Sequence, residues 1–581
     1  MTPHGAVAER LARLAPDQRS AATATPGPVL CVAPAGSGKT TTLVARIAWL
    51  VDSGVNPATI TAITFNRRAA EELAARIGPA LEPFGPTARE IRVRTFHALG
   101  REILVDAGHA VEPLVDRDEL IHEIVPGADL AERRRLDTAF STLKLEYRVD
   151  VEAVAADPEA GPRARAFVAY ERALAATGGL DFDDLVARSL ALLQNEPELL
   201  ASWRAACAEL LVDEVQDVDR SQLELALLLA APANRIFLVG DDDQSIYGWR
   251  LADVRRVLAL AGRLPGLRRH DLVTNFRCPA PVVERAVRLV EGNAERFAKR
   301  IVARPGALGA LVLAPDAADD DERARHVLAT WPTLTPAGSG PDPGPGTGGG
   351  PERATYAILA RTNRELLPAA AIALELGIPF RAERLALVLE DPRLDGILAA
   401  IEPAGDEPLL VRLAGMRGRS DSADGSAEGK LESDSETALS FDELVAAVLV
   451  WAAPYRDAAE FTTAVRTRRV DLASLRRDDA PLTLATAHST KGLEFDHVAV
   501  VDMDSGRFPS QRTLDDADDP GRALEEERRL AYVAWTRARR SLTLVFDPAA
   551  PSPFLLEAFE SGELDADVHT GAGGSAQRER S

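Results

Sequence analysis

Short apolar runs recur along the chain, and a stretch with helical periodicity, such as RRAAEELAARI from Arg67, follows most of them. The runs are PVLCVA from Pro28, ITAITF from Ile60, LLVDE from Leu210, RIFLVGD from Arg235, TYAILAR from Thr355, HVAVVD from His497 and SLTLVF from Ser541. Parallel strands buried on both faces are near-continuous apolar runs, and their alternation with helices builds a parallel sheet. The pattern therefore predicts an α/β fold with mostly parallel sheets.

The predicted strands form two groups, before about residue 275 and after about residue 355, which indicates two sheets. Helix-rich stretches interrupt the groups at roughly 105–205 and 381–481. The Pro/Gly-rich stretch 335–351 is typical of a linker or long surface loop. The acidic, polar stretch 418–436 and the Gly-rich tail 561–581 are expected to be disordered.

The composition is that of a globular protein with several domains. With 581 residues the chain is too long for one hydrophobic core, and 46% hydrophobic and 27% charged residues are ordinary proportions. No run of about 18 apolar residues predicts a membrane span. The N-terminus lacks the basic segment and apolar core of a secretory signal. We therefore expect a cytoplasmic protein with no membrane partner.

The three cysteines, Cys31, Cys207 and Cys278, lie far apart in the sequence and form no metal-ligand pair. Reduced thiols are the expected state, and an iron–sulfur nuclease module is disfavoured. The net charge of −22 restricts the partners further, because a uniformly acidic surface would repel phosphates. Either the partner is not a nucleic acid, or a local basic groove lies on an acidic body. The motifs below favour the second alternative.

The segment APAGSGKT, 33–40, follows the first predicted strand and opens a helical pattern. Glycines let backbone N–H groups surround phosphates, and the helix N-terminus adds a positive dipole. In such a loop Lys39 reaches the outer phosphates and the Thr40 hydroxyl binds Mg²⁺. The predicted nucleotide contacts here are Ala33, Pro34, Ala35, Gly36, Ser37, Gly38, Lys39, Thr40 and Thr41. Ala33 replaces the first glycine of the usual pattern, and an ordinary Gly-rich turn is the alternative.

The segment LLVDEVQD, 210–217, places two adjacent carboxylates at the end of an apolar run. Asp213 is predicted to hold Mg²⁺, and Glu214 to orient and deprotonate the attacking water. A charged strand end without function is the alternative for this pair alone. Together with the Gly-rich loop, the pair predicts hydrolysis of a nucleoside triphosphate with Mg²⁺.

The segment VGDDDQSIYGWR, 239–250, places carboxylates and an amide beside two large aromatic residues. Tyr247 and Trp249 are residues on which bases can stack, and stacking contributes about 1–3 kcal/mol per base with little sequence preference. Core packing is the alternative, which the glycine beside them and the polar loop disfavour. The loop is therefore predicted to lie between a phosphate site and a nucleic-acid track.

The ordered set of motifs resembles the UvrD/PcrA/Rep-like DNA helicases of superfamily 1, in the 3′-to-5′ branch. The resemblance extends from residue 14 to about 557, outside the two linkers and the helical insertions. The motifs that carry it are LAPDQRSA, APAGSGKT, AITFNRRAAEELAARI, VRTFHALGREIL, GLDFDDLV, LLVDEVQD, VGDDDQSIYGWR, VTNFRCP, AILARTNREL, ATAHSTKGLEFDHVAVVDMDSGRFPS and EEERRLAYVAWTRAR.

The resemblance implies two RecA-like P-loop NTPase domains, each with an inserted helical subdomain. The implied first domain comprises 1–104 and 205–275, with the insertion 105–204. The implied second domain comprises 276–380 and 482–560, with a reduced insertion at 381–481. The linker 335–351 lies within the second domain, and the tail follows at 561–581.

The resemblance also implies roles around the substrate ATP. Gln18 reads the adenine, Arg46 and Phe276 flank the base, and Glu494 contacts the ribose. Gln244 senses the γ-phosphate. Arg277 and Arg537 reach that phosphate from the second domain. A surface arginine is the alternative for each of these two, since their spacing alone places neither at the site.

Positions that the resemblance assigns to the nucleic-acid track lie in both predicted domains. They are Phe65, Asn66, Thr95, His97, Tyr247, Trp249, Arg250, Arg361, Asn363 and His488. A structural role is the alternative for each histidine. The resemblance implies ATP hydrolysis coupled to 3′-to-5′ movement, and single-stranded and 3′-tailed duplex DNA are the expected partners.

The function predicted from the sequence is an ATP-dependent DNA helicase or translocase in repair or recombination. Because the insertion 381–481 is short, a translocase that removes bound proteins and unwinds poorly remains an alternative. A non-catalytic interaction subunit is a third alternative, which the complete catalytic set disfavours. RNA as the track stays open, as do the protein partners. We expect a monomer in isolation.

Overall fold

The computed structural model describes residues 5–85, 90–331, 334, 354–383, 385–402, 407–417 and 441–564. The chain divides into two compact units. Unit 1 comprises Met1–Arg277 and Asn293–Pro305, and unit 2 comprises Cys278–Gly292 and Gly306–Ser581. The predicted linker 335–351 and acidic segment 418–436 lie outside the described residues.

Unit 1 contains one six-stranded parallel sheet in the order β3-β2-β4-β5-β1-β6. Its strands are β1 (Val29–Val32), β2 (Ile60–Thr64), β3 (Arg92–Thr95), β4 (Glu209–Val212), β5 (Ile236–Gly240) and β6 (Arg268–Asp271). A short parallel pair, β7 (Thr274–Asn275) and β8 (Val302–Ala303), lies outside this sheet.

The helices of unit 1 cover both faces of its sheet and form a separate helical layer. They are α1 (Gly5–Ala12), α2 (Pro16–Ala22), α3 (Lys39–Asp52), α4 (Arg67–Leu81), α5 (Phe96–Asp106), α6 (Arg117–Ile124), α7 (Leu130–Ser141), α8 (Val151–Ala156), α9 (Pro162–Thr177), α10 (Phe182–Asn195), α11 (Pro197–Ala206), α12 (Arg220–Ala230), α13 (Val254–Leu258) and α14 (Leu260–Arg263). A π-helical segment, Thr142–Tyr147, follows α7.

Strand β1 shows why its sequence is continuously apolar. Val29 and Cys31 pack into the core on one face of the sheet, and Leu30 and Val32 pack into the core on the other. A strand buried on both faces needs apolar residues at every position. A third core, between α6, α7 and α9, stabilises the helical layer.

Unit 2 contains a second six-stranded parallel sheet in the order β11-β12-β10-β13-β14-β9. Its strands are β9 (Ala310–Pro315), β10 (Tyr356–Ala360), β11 (Phe380–Arg381), β12 (Leu482–Thr486), β13 (Phe495–Val500) and β14 (Ala538–Phe546). Its helices are α15 (Ala280–Val290), α16 (Asp320–Ala329), α17 (Leu367–Glu375), α18 (Arg393–Ile401), α19 (Leu409–Ala414), α20 (Phe441–Ala452), α21 (Ala458–Leu475), α22 (Gln511–Asp515), α23 (Pro520–Trp535), α24 (Pro553–Ala558) and α25 (Ser561–Leu564). Helices α18–α21 share a core of their own.

The predicted fold class is confirmed, with two parallel-sheet α/β units and helices between β3 and β4 and between β11 and β12. The start of the predicted disordered tail was wrong, because Ser561–Leu564 is helical and Leu564 is buried. Arg285 stabilises this end by bonding to the Ala558 carbonyl and to Glu563. The later tail residues lie outside the described part of the chain. No described helix has the length and apolarity for a membrane crossing.

Candidate functional site

The Gly-rich loop connects β1 to α3 and is held in a conformation that requires glycine. Gly36 and Gly38 have φ values of 67° and 83°. A Cβ at Gly36 would lie 2.8 Å from the Arg277 Cβ, and one at Gly38 would lie 2.5 Å from the Gln18 Nε2. By contrast, the Ala33 N–H bonds to the Gly240 carbonyl at 2.8 Å, as an extension of the sheet. Alanine therefore suffices at the first position of the loop.

Gln18 binds the Gly-rich loop from α2. Its Nε2 donates to the Ser37 carbonyl at 2.8 Å, and its Oε1 accepts from the Ala15 N–H at 3.1 Å. The Ser37 hydroxyl oxygen is buried and has no hydrogen-bond partner among the described residues. A buried polar atom without a partner is costly, so the loop offers this hydroxyl to a bound group.

The segment after β7 contacts the other side of the loop. The Asn275 Nδ2 donates to the Ala35 carbonyl at 2.8 Å, and the Phe276 N–H donates to the Gly36 carbonyl at 2.8 Å. The Arg277 N–H donates to the Asn275 Oδ1 at 2.9 Å. The Phe276 ring remains 39% exposed beside the loop. The structure thus places Phe276 and Arg277 at the predicted phosphate loop and within unit 1, whereas the prediction assigned both residues to the second domain.

The carboxylate pair follows β4, the strand two positions from β1 in the sheet. Glu214 has a φ of 52°, a left-handed conformation that is uncommon for a residue with a Cβ. Its Oε2 lies 3.0 Å from the Lys39 Nζ. The strained turn therefore directs Glu214 toward the first residue of α3.

The charges of Lys39 and of the carboxylate pair suit the binding of a phosphate anion and a metal cation side by side. Burial opposes the charge of Lys39, but Glu214, Asp241 and Asp213 together raise the pKa of its ammonium. Burial, and next the charge of Glu214, raise the pKa of Asp213 to about 7. Carboxylate and hydroxyl oxygens are ligands that Mg²⁺ prefers, so Asp213 and Thr40 fit the predicted metal.

A chain of hydrogen bonds connects the carboxylate pair to the loop after β5. The Gln216 Nε2 donates to the Glu214 Oε2 at 2.6 Å, and the Gln216 Oε1 accepts from the Asp241 N–H at 3.0 Å. The Asp241 Oδ2 accepts from the Gln244 Nε2 at 2.6 Å. Lys39 and Gln244 are therefore connected through three intervening residues: the side chains of Glu214 and Gln216, and the backbone N–H and carboxylate of Asp241.

The aromatic residues that follow Gln244 form a surface with Phe65. The Phe65 and Tyr247 rings are stacked, with centroids 5.0 Å apart and planes at 12°. Trp249 contacts Tyr247 edge-on at 6.2 Å and is 56% exposed. The Arg250 guanidinium lies over the Trp249 ring at 4.5 Å. Exposed rings next to an arginine are suited to stacking on bases.

Phe182 extends this surface and was missed in the sequence. It is the first residue of α10, is 58% exposed, and stacks on His97 with ring centroids 4.0 Å apart. Burial lowers the pKa of His97 to about 4, so its ring is neutral at physiological pH. The motif GLDFDDLV contains Phe182. The sequence feature that could have identified Phe182 is its position directly after the Asp181 N-cap of α10, where an apolar side chain faces outward.

Asn66 and Thr95 cap helices. The Asn66 Oδ1 accepts from the Ala69 N–H at 2.8 Å at the start of α4, and the Thr95 hydroxyl accepts from the Ala98 N–H at 3.2 Å at the start of α5. Their predicted nucleic-acid contacts remain a proposal.

The base-flanking role of Arg46 is not supported by its surroundings. Arg46 is 1% exposed, lies over the rings of Trp49 and Phe237, and donates to the carbonyls of Ala22 and Ala24. Burial lowers its pKa to about 10. The structure therefore gives Arg46 a role inside the core of unit 1, on the face that α1–α4 cover.

Within unit 2, Arg361 is also occupied internally. Its guanidinium bonds to both carboxylate oxygens of Glu527 at 2.6–3.0 Å and to the Thr513 hydroxyl at 3.1 Å. It is 9% exposed. A bidentate, buried arginine pair is a fixed structural contact. The predicted nucleic-acid contact of Arg361 remains a proposal beside these internal contacts.

Other predicted positions in unit 2 lie at strand ends. Asn363 follows β10 and is 8% exposed, whereas His488 follows β12, and burial lowers the pKa of its ring to about 3. Glu494 is exposed just before β13, 3.8 Å from Arg539. Arg537 follows α23 and donates to the carbonyls of Val533 and Leu493. Their nucleotide or nucleic-acid roles remain proposals.

Each unit contains a six-stranded parallel sheet, and unit 1 carries the Gly-rich loop, Lys39 and the carboxylate pair. These are the features of the RecA-like P-loop nucleoside triphosphatases, and the chain is an enzyme of this class. Two family models match it. The UvrD/REP helicase N-terminal domain matches residues 14–265, and the UvrD-like helicase C-terminal domain matches residues 459–547.

Curated relatives agree with the family models over most of the chain. The chain is 27% identical to the ATP-dependent DNA helicase PcrA of Staphylococcus epidermidis, over 90% of this chain and 82% of the relative. It is 28% identical to the ATP-dependent DNA helicase Rep of Salmonella typhimurium, over 94% of each chain. It is 28% identical to DNA helicase II of Escherichia coli, over 91% of this chain and 84% of the relative. The chain belongs to the UvrD/REP helicase family.

Proposed function

We propose that this protein is an ATP-dependent DNA helicase or translocase that moves 3′-to-5′ along single-stranded DNA. The names of its relatives and the exposed aromatic surface of unit 1 support the substrate and the track. The observation that carries the proposal is the hydrogen-bond chain from Lys39 to Gln244, three residues before Tyr247. A direct connection between a phosphate site and a stacking surface is what a motor requires.

The residues of unit 1 divide the work of hydrolysis. Lys39 stabilises charge on the outer phosphates, and Glu214 accepts a proton from the attacking water. Glu214 also orients that water, Gln244 senses the γ-phosphate, and Phe276 stacks on the adenine. Bound at Thr40 and Asp213, Mg²⁺ supplies further neutralisation of phosphate charge. We propose that Arg277 and Arg537 stabilise the transferring phosphoryl group, and that Glu494 contacts the ribose.

The stacking surface holds the strand without reading its sequence. Phe65, Tyr247, Trp249 and Phe182 present rings, and Arg250 adds a positive charge. Each stacked base contributes about 1–3 kcal/mol, which is strong enough to hold the strand and weak enough to let it dissociate. A change at Gln244 reaches the surface through a few residues of backbone. Asn66, Thr95, Asn363 and His488 are proposed as further contacts along the track.

ATP hydrolysis with and without single-stranded DNA tests the proposal, with Lys39→Ala as the control. We expect strong stimulation by DNA that disappears in the variant. Hydrolysis that depends on Lys39 but ignores DNA would contradict the coupling. If neither condition gave hydrolysis, the interaction-subunit alternative would replace the proposal.

A strand-displacement assay separates unwinding from translocation alone. The helical layer of unit 2 consists of only four described helices, α18–α21, which favours a translocase with weak unwinding as the second candidate. Movement along single strands without separation of a 3′-tailed duplex would select that candidate. A role in repair or recombination is part of the proposal in either case.

A further inference from the structure

Three consecutive aspartates follow β5, and all three are buried around one lysine. The side chains of Asp241, Asp242 and Asp243 are 0% exposed. The Lys299 Nζ lies 2.9 Å from the Asp241 Oδ1, 2.5 Å from the Asp242 Oδ1 and 2.8 Å from the Asp243 Oδ2. Lys299 itself is 1% exposed. It therefore contacts every carboxylate of the run.

The segment that carries Lys299 supplies two more contacts. Arg296 binds both oxygens of Asp243, at 2.9 and 2.8 Å, and the Phe297 N–H donates to Asp242 at 2.8 Å. The segment is Asn293–Pro305, which belongs to unit 1 although the residues on both sides of it belong to unit 2. The aspartate run is thus fixed by a piece of chain that enters unit 1 for thirteen residues.

The charges show that Lys299 is necessary for this arrangement. Three adjacent buried carboxylates repel one another, and burial alone favours their neutral form. Burial opposes the charge of Lys299, but Asp241, Asp243 and Asp242 raise its pKa. Burial likewise works against the charge of Asp243, but Lys299 and Arg296 lower its pKa. Without Lys299, Asp241 and Asp242 would lose the ammonium that bonds to them, whereas Asp243 would keep its bonds to Arg296.

Asp241 connects this cluster to the nucleotide site. Its Oδ1 accepts from Lys299 at 2.9 Å, and its Oδ2 accepts from the Gln244 Nε2 at 2.6 Å. A carboxylate only accepts hydrogen bonds, so it must face the NH₂ side of the amide. The Gln244 amide is therefore held in one of its two orientations.

We propose that Lys299 is a positioning residue of the hydrolysis reaction, which fixes the orientation of the Gln244 amide through Asp241. The inference rests on the proposed function, because Gln244 senses the γ-phosphate there. The Lys299 side chain is 1% exposed, and its ammonium bonds to the three aspartates. It acts only by holding the residue that holds Gln244.

A double-mutant cycle tests this proposal. Lys299→Met should lower kcat at saturating ATP and DNA about tenfold or more, with KM for ATP changed less than about threefold, as expected for loss of an interaction used in the transition state. Combined with Gln244→Ala, it should cause little further loss, because both changes remove the same orientation. Lys299→Arg should restore most of the activity.

The chain offers a matched control in Lys144. This lysine is also buried and also binds three carboxylates, those of Glu171, Asp181 and Asp184, at 2.7–3.0 Å. It lies in the π-helical segment, away from the aspartate run. In the double variant of Lys144→Met and Gln244→Ala, the two losses of kcat should multiply, because the two residues act independently. If the Lys299 and Gln244 effects also multiplied, the proposal would be overturned.

Hydrogen exchange of the nucleotide-free protein gives a second readout. Lys299→Met should speed exchange about tenfold or more in the segment 240–250, because the loop loses its anchor. Lys144→Met should instead affect the segment 142–147 and the start of α10. Unchanged exchange in 240–250 would contradict the proposal even if activity fell.

If Lys299→Met does not fold, Asp241→Ala serves as a second variant, because it leaves two acids with two cations. The double variant with Gln244→Ala should then lose little more kcat than Gln244→Ala alone. If the two kcat losses multiplied, the proposal would be overturned. Wild-type hydrolysis, lost in Lys39→Ala, tests the proposed function separately from both results.

Discussion

Glu214 shows how much a single residue can carry in this protein. Its left-handed backbone, with a φ of 52°, and its ion pair with Lys39 at 3.0 Å place a carboxylate at the phosphate loop. Its Oε2 also accepts from Gln216, the first residue toward the stacking surface. In the proposed mechanism, this side chain therefore takes part both in hydrolysis and in the connection to the track.

We predict that Glu214→Gln lowers kcat by about 10²–10⁴, because the amide cannot accept the proton of the attacking water. Nucleotide binding should survive, because Lys39 and the Gly-rich loop remain. Steady-state hydrolysis and fluorescent ADP binding check the two halves of this expectation. Equal losses of binding and of kcat would show that Glu214 maintains the loop and is not the base.

Asp219 predicts a dependence of stability on pH. It caps α12 through the Gln222 N–H at 2.9 Å and is 3% exposed. Burial raises its pKa from 3.8 to about 7. Because the folded protein binds the proton of Asp219 more tightly than the unfolded chain does, protonation stabilises the fold. This contribution is complete below pH 3.8 and is lost as the pH rises through about 7. Asp219→Asn keeps the capping oxygen without the charge, so it should raise Tm by a few degrees at pH 8.

The advantage of Asp219→Asn should narrow toward pH 5, and thermal unfolding at both pH values measures it. Asp129→Asn is the matched control, since Asp129 caps α7 at an exposed position. A benefit of Asp219→Asn that is the same at both pH values would contradict the account.

Single residues also mark the limit of inference from sequence. The loop 33–40, the pair 213–214 and the aromatics 247–249 were recognisable because their chemistry depends on local spacing. Arg46 and Arg361 were not, because an arginine is assigned by what it faces across the fold. Arg46 faces backbone carbonyls, and Arg361 faces Glu527, 166 residues away in the sequence. Lys299 carried no local signal for the same reason.

At the scale of elements, all interior strands but β12 were predicted, and the four edge strands were missed. Strands β3 and β6 are the two edges of the first sheet and read RVRT and RRHD. Strands β9 and β11 are the edges of the second sheet. Edge strands tolerate charges on their open side, which explains why β3 and β6 lack the continuous apolar pattern. The missed strands β9, ALVLAP, and β12, LTLAT, are as apolar as the predicted strand β2, ITAIT, so charge does not explain why they were missed.

The contact between α5 and α10 positions the end of the stacking surface. A Cβ at Gly100 in α5 would lie 2.2 Å from the Leu185 carbonyl oxygen in α10. Helix α5 carries His97 and helix α10 begins with Phe182, so this approach sets the distance between the stacked rings. Glycine permits it because it has no side chain.

We predict that Gly100→Ala destabilises the protein by about 1–3 kcal/mol through overpacking and weakens the affinity for single-stranded DNA several-fold. Gly78→Ala in α4 is the control, because nothing lies within 4 Å of a Cβ there. That change should be neutral or stabilise by up to about 1 kcal/mol. Denaturant unfolding and fluorescence anisotropy give both quantities. Unchanged DNA affinity in a destabilised Gly100→Ala would separate the helix contact from the track.

At the scale of the whole molecule, the net charge of −22 is compatible with a nucleic-acid track that relies on stacking. The exposed residues proposed for the track in unit 1 are Asn66, Trp249, Arg250 and Phe182, and Arg250 carries the one positive charge among these four. A track that holds bases mainly by stacking predicts an affinity that falls only modestly with salt. The acidic remainder of the surface limits binding elsewhere on the protein.

We predict that the protein displaces the strand of a 3′-tailed duplex, or moves along a 3′-tailed single strand, and is inactive from a 5′ tail. Time courses with the two tails in parallel measure this directionality. Equal activity from either tail would contradict the proposed direction while leaving hydrolysis intact.

The central claim is that the state of the nucleotide site changes the grip of the aromatic surface through Glu214, Gln216, Asp241 and Gln244. The affinity for single-stranded DNA, measured with ADP and with a non-hydrolysable ATP analogue, tests it most directly. We predict that the two affinities differ at least about fivefold, which is the size of a typical coupling between sites. The difference should disappear in Gln244→Ala. Equal affinities in the wild-type protein, or a difference that Gln244→Ala preserves, would contradict the account.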